Sequence, residues 1–179
     1  MTPAVTINCD LACAECEYNL RGLMTDGRCP ECGAAIHATL ERVPPGEIPE
    51  LEDVILNIRR RRYEPLARAA GASIDAVMIV HDAVRFATLI ARRNSLQVEQ
   101  RHATARDVCK AFREHVQFYF NDADEARELL AEWGIVSSSD VGRIVFAMVE
   151  LGWAAAQPED SIAQFDGLFT LDTLFDQAG

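Results

Sequence analysis

The sequence predicts a mainly α-helical protein. A helical bundle over 53–179 is expected to follow a small β-hairpin module over 1–43, with a Pro-rich linker over 44–52 between them. Three observations carry this. Five of the six cysteines fall in the first 32 residues, in paired spacing. The segment Val43-Pro44-Pro45-Gly46-Glu47-Ile48-Pro49 packs three prolines and a glycine into seven residues, which reads as an extended connector. Beyond it, apolar residues recur at intervals of three and four. A 179-residue chain that is 49% apolar and 25% charged is of globular composition. Its net charge of −11 disfavours wholesale wrapping of nucleic acid or anionic lipid.

The N-terminal module is defined by two CxxC knuckles, Cys13-Ala14-Glu15-Cys16 and Cys29-Pro30-Glu31-Cys32-Gly33, with twelve residues between them. A two-residue gap lets both thiolates of a knuckle face one ion while backbone amides point at the sulfurs. Pro30 fixes its turn, and Gly33 supplies a positive φ. Two knuckles on a hairpin complete a tetrahedral site, so Cys13, Cys16, Cys29 and Cys32 are expected to hold one structural zinc ion. Iron in a rubredoxin-like site and a redox dithiol are the competing uses of the same pattern. Cys9 fits the spacing less well and is expected to be a thiol outside the site, and His37 a surface histidine. Tyr18, Leu20 and Leu23 supply an expected minimal core, with Gly22 and Gly27 in turns. So small a module has too little apolar area to fold alone, so metal binding is expected to drive its folding.

The stretch Cys13-Ala14-Glu15-Cys16-Glu17-Tyr18-Asn19-Leu20-Arg21-Gly22-Leu23, closing with Arg28-Cys29-Pro30-Glu31-Cys32-Gly33, resembles a zinc ribbon found at the N-termini of many planctomycete proteins. The resemblance covers about residues 9–36 and implies a metal, not an activity. Glu17 stands where that ribbon usually has glycine.

Past the linker, Leu51, Val54, Ile55 and Ile58 mark a helix over Leu51–Arg62, and Pro65 is expected to stop it or start the next. Ser73 can cap a helix with Val77, Val80, Val84, Ala87 and Ala91 on one stripe. Met78, Ile79, Phe86, Leu89 and Ile90 widen that stripe, which implies a helix central to the bundle. Thr104 with Asp107 reads as a capping box opening a helix through Val108, Phe112, Val116 and Tyr119. Asp122 to Trp133 is another helix, closed by Gly134. Ser137 or Ser138 starts the next, with Val141, Ile144, Val145, Met148 and Leu151 inside. The tail, with Phe165, Phe169 and the Leu171–Leu174 pair, is apolar enough to dock back as a short helix or an extended cover. No repeat of 20 to 50 residues is visible.

The blocks His102-Ala103-Thr104-Ala105-Arg106-Asp107-Val108, Trp133-Gly134-Ile135, Ser139-Asp140-Val141-Gly142-Arg143-Ile144-Val145-Phe146 and Asp160 to Phe165 resemble an uncharacterised family restricted largely to Planctomycetes and Verrucomicrobia. The likeness spans most of 54–176 and implies a fold unit and a bacterial cytosolic setting, with no activity attached. Val108 stands where leucine is common, and Ser139 where threonine is.

Catalytic signatures are sparse. His81-Asp82 and Glu114-His115 are adjacent pairs that diverge by about 100° on a helix. No HExxH, GxSxG, P-loop or GxGxxG string occurs. Cys109 lies in an apolar helical stretch and reads as an inert buried thiol, and Trp133 as a core anchor. His102 is the best single catalytic candidate. Its ordinary role would be to fix a loop by a hydrogen bond, and an enzyme would need a deep polar pocket around it.

Charge is segregated along the chain. Residues 1–58 carry 3 basic and 10 acidic groups, 59–113 carry 12 and 5, and 114–179 carry 2 and 13. Eleven of the twelve middle cations are Arg, including Arg59, Arg60, Arg61, Arg62, Arg68, Arg92, Arg93, Arg101, Arg106 and Arg113, which favours bidentate contact with carboxylate or phosphate. These cations either pair with the acidic C-terminal third or face an anionic partner, with Arg59–Arg62 as the candidate patch. The helices flanking Gly134 offer too few cations for sequence-specific DNA reading. Apolar runs such as Ala76–Val80 fall far short of the ~20 residues a bilayer crossing needs, and the N-terminus lacks a secretory pattern. A cytoplasmic setting with reduced thiols is expected. The expected function is a non-enzymatic adaptor with a protein partner. An RNA- or ribosome-associated factor using 59–113 and an enzyme with a site near His102 are the alternatives.

Overall fold

The computed structural model describes residues 4–44, 46–94 and 102–176, and it is mainly helical. The helices are α1 (Ile36–Leu40), α2 (Glu52–Ala70), α3 (Ile74–Asn94), α4 (Ala105–Tyr119), α5 (Ala123–Glu132), α6 (Ser138–Glu150) and α7 (Leu171–Leu174), with 3-10 turns at Pro49–Leu51 and Ile162–Phe165. No described helix is long and apolar enough to cross a membrane. Pro45 of the linker and Arg101 of the basic segment lie outside the described residues.

The chain divides into two compact units, Met1–Arg62 and Tyr63–Gly179. In the first, the expected β-hairpin is reduced to isolated antiparallel bridges, Thr6 with Met24, Ala12 with Asn19 and Arg28 with Ala35, and no strand forms among the described residues. The paired runs are too short for a ladder, because the knuckles and Gly22 (φ +84°) turn the chain every few residues. The core is larger than Tyr18, Leu20 and Leu23. Tyr18 is exposed, and Leu20 is joined by Ile7, Leu11, Ile36, Leu40, Val43, Leu51, Val54 and Ile55, all buried. Residues 48–55 therefore do more than connect. Ile48 and Leu51 pack into this core, and the division falls inside α2.

Pro65 neither stops nor starts a helix, since α2 runs through it to Ala70. Its ring is exposed, and its missing N–H costs only the bond to the Arg61 carbonyl, while Leu66, Ala67 and Ala70 are buried beyond it. The boundary between the units lies in this weakened turn.

In the second unit the expected caps are present. Ser73 Oγ accepts the Ala76 amide at 3.0 Å. Thr104 and Asp107 form a reciprocal capping box, and Asp122 accepts the Asp124 and Glu125 amides. Gly134 closes α5 at φ +85°. Packing of α3 on α4, and of α6 on the Ile162–Phe165 turn, dominates the unit. Val77, Val80, Ala83 and Ala87 of α3 are buried, but Phe86, Leu89 and Ile90 are exposed, so α3 is covered on one side only. Tyr119 and Leu151, expected inside, are also exposed. The tail docks back, with Phe165, Phe169 and Leu174 buried and Phe169 stacked on Phe112 at 5.7 Å.

Arg143 ties three ends together. Its guanidinium donates to the carbonyls of Ala70, Gly71 and Gly134, and to Asp140 Oδ1 at 3.0 Å. Burial alone would raise the Asp140 carboxyl. The amides of Val136 and Ser137, the Ser137 hydroxyl and Arg143 together hold it below its ordinary value.

Candidate metal centre

The Sγ atoms of Cys13, Cys16, Cys29 and Cys32 all lie within 4.8 Å of one another. Cys13 and Cys32 are 3.7 Å apart, and Cys16 and Cys29 are 3.5 Å apart. A disulfide needs about 2.05 Å. Four thiolates at about 2.3 Å from one ion would be about 3.8 Å apart along each tetrahedral edge, so the observed separations fit a shared ion.

The two knuckles are built alike, offset by sixteen residues. The Cys13 amide donates to the Tyr18 carbonyl, and the Glu17 amide returns to the Cys13 carbonyl. In the second knuckle Cys29 pairs with Ala34 and Gly33 with Cys29 in the same way. The bridges Ala12–Asn19 and Arg28–Ala35 extend this equivalence. Both turns therefore need a left-handed residue at the same place. Gly33 supplies it at φ +74°, whereas Glu17 adopts φ +62° with a side chain attached. Such a conformation costs a non-glycine residue about 1 kcal/mol. Glu17→Gly is thus expected to tighten metal binding about two- to fivefold in a chelator competition. Glu17→Gln, which removes the charge but keeps the Cβ, should recover little of that gain.

Backbone amides are directed at the sulfurs. The Glu15 and Cys16 amides, Glu15 foremost, hold Cys13 down to about 6. The Tyr18 amide lowers Cys16, but burial and the three neighbouring thiols outweigh it and push that thiol up to about 12. Cys32 is raised as well, despite the Ala34 amide. Without a cation the cluster tolerates little negative charge, whereas a divalent ion would make four thiolates compatible. α1 braces the first knuckle. Buried Thr39 accepts the Ala14 amide at 3.1 Å, and Arg42 pairs with Glu15 at 2.7 Å. Nothing in the spacing of the cysteines points to Thr39 or Arg42, which are brought to the site by the turn into α1.

The remaining candidates are dispersed. Cys9 is half-buried and outside the cluster, and His37 is exposed. Burial pushes the Cys109 thiol up to about 12, leaving it un-ionised at neutral pH. Arg59 donates to the Val43 carbonyl, while Arg60, Arg61 and Arg62 are exposed on α2. Among the described residues, no ion pair joins Arg68, Arg85, Arg92, Arg93, Arg106 or Arg113 to a carboxylate of the C-terminal third. Arg113 caps the carbonyls of Thr173 and Asp176 instead. His102 Nε2 meets Asp160 Oδ2 at 2.7 Å, fastening the start of α4 to the segment after α6.

No family model, curated protein or solved structure matches this chain.

Proposed function

We propose that the N-terminal unit is a zinc ribbon of the kind its sequence resembles in planctomycete proteins, holding one structural Zn2+ through Cys13, Cys16, Cys29 and Cys32. The four-sulfur cluster carries this reading. Thiolate donors select a soft or borderline ion, and four of them leave no open position for substrate or water. Bound zinc would supply cross-linking of two turns and no reaction. The helical unit is read as a member of the uncharacterised family it resembles in Planctomycetes and Verrucomicrobia, and the setting as cytoplasmic.

The whole is a non-enzymatic adaptor that presents surface to a protein partner. The exposed ring cluster on α3 and α4 supports this choice. Phe118 is 81% and Tyr119 60% exposed, and Phe86 lies against His115 beside them. Aromatic side chains are enriched among the groups that dominate binding energy at protein interfaces. Phe118→Ser with Tyr119→Ser should abolish capture of a specific protein from native cytosol while leaving zinc content and helicity unchanged. Retention of every captured protein would refute the assignment of this face.

The second reading is an RNA-associated factor, and the exposure of Arg60, Arg61 and Arg62 favours it. Steep weakening of RNA binding with salt, lost on changing Arg59–Arg62 to Ser, would move the assignment to this class. A flat salt response would remove it.

A further inference from the structure

The helical unit contains a cleft of about 560 Å³, a volume in the range that holds small organic ligands. One face of α3 forms its wall through His81, Val84, Arg85, Thr88, Leu89 and Arg92. Its floor is apolar, from Val108 of α4, Val145 and Met148 of α6, Phe165 and Trp153, with Val108, Met148 and Phe165 buried. Small residues, Ala154, Ala155 and Ala156, also line it.

The charge of this cleft is unbalanced. The carboxylate among its described lining residues, Asp160, is committed: the same Oδ2 takes His102 Nε2 at 2.7 Å and the Gln157 amide at 2.7 Å. Arg85 and Arg92 have no carboxylate partner among the described residues, and both are exposed on the cleft side of α3. They stand seven positions apart, about 10 Å along the helix axis, with Thr88 between them on the same face. Guanidinium groups are suited to bidentate contact with a carboxylate or phosphate, and an apolar floor beside them suits a hydrocarbon or ring body.

We propose that this cleft binds a small amphipathic organic anion, its apolar body on the Val145–Met148–Trp153 floor and its acid group between Arg85 and Arg92 over Thr88. The His102–Asp160 contact is a positioning element that closes one end of the site. This is a ligand site separate from the four-cysteine cluster, and it stands or falls independently of the adaptor reading.

Trp153 provides the readout, since the chain has two tryptophans and Trp133→Phe leaves the one in the cleft. With the full-length, metal-loaded protein in that background, decanoate and decyl phosphate should shift Trp153 fluorescence saturably at micromolar concentrations. Decanol, the same chain without charge, should bind at least tenfold more weakly. Arg85→Gln with Arg92→Gln should erase the preference for the anions without changing helicity. A phosphate that outbinds the carboxylate tenfold or more, or the reverse, would name the acid group. Equal binding of decanol and decanoate, an anion preference that survives both Arg substitutions, or no response below millimolar concentration would overturn the proposal.

Discussion

Cys29→Ser is expected to leave the N-terminal unit unfolded and free of metal while the helical unit keeps its structure. Cys29 is 2% exposed and is one of the four clustered sulfurs, 3.5 Å from Cys16 Sγ. The apolar core around it is that of a unit of 62 residues, a size at which burial supplies only a few kcal/mol net. Structural zinc in small modules contributes about 10–16 kcal/mol in apparent binding free energy, so an ion bound here would outweigh the core. Three thiolates and a serine hydroxyl would lose most of that term. Loss of zinc to below a tenth of one ion per chain is expected. Collapse of amide dispersion over 4–44 and 46–62, with the resonances of α3 to α6 in place, is the structural signature. A variant that stays folded in the N-terminal unit without metal would refute the coupling. So would wild-type protein that retains this unit after exhaustive chelation. The separation of effects follows from two independent cores, one around Leu20 and Ile55 and the other around Phe112 and Ile144.

The parts of this fold that were legible in the sequence are those set by local chemistry. The knuckles are determined by two-residue spacing, and the caps at Ser73, Thr104 and Asp122 by side chains that accept amides within three residues. Helical periodicity located α3 to α6. What sequence could not supply were the non-local terms. Pro65 reads as a breaker until the burial of Leu66 and Ala70 carries the helix past it. Tyr18 reads as core until Ile36, Leu40 and Ile55 arrive from elsewhere in the chain and take that role. The width of the α3 stripe counted Phe86 and Ile90 as buried, although one side of that helix is left uncovered. Arg85 was one cation among twelve; helix spacing puts it on one face with Arg92, but only the fold sets that face on a cleft whose described carboxylate is already engaged. The sixteen-residue equivalence of the knuckles was in the sequence, but its consequence for Glu17 needed the backbone.

Gly142→Ala should destabilise the helical unit by about 1–2 kcal/mol in chemical denaturation, against the usual sign of such a change. Within a helix, replacing glycine by alanine ordinarily stabilises by about 1 kcal/mol, because alanine loses less backbone freedom. Gly142 lies inside α6, yet a Cβ there would stand 2.7 Å from Phe165 Cβ and Cγ and 2.9 Å from Cδ2. Those are the inner atoms of a side chain that is 4% exposed, not a flexible end that can swing aside. Phe165 cannot withdraw as a unit either. Ser139 holds Asp166 at 2.7 Å, and the buried Ser138 hydroxyl accepts the amides of Leu168 and Phe169. Relief would require peeling the 161–170 segment from α6, exposing Phe165 and Phe169 together, and overpacking of this kind typically costs 1–3 kcal/mol. The same contact predicts strong coupling. Phe165→Ala alone removes a buried ring, whereas Gly142→Ala with Phe165→Ala should cost less than the two single changes added, since the methyl then fills space the ring has left. Strict additivity, or a stabilised Gly142→Ala single variant, would show that the tail does not pack on α6 through this glycine. The requirement for no side chain at 142 is therefore set by a residue 23 positions away, which is why helix propensity alone gives the wrong sign.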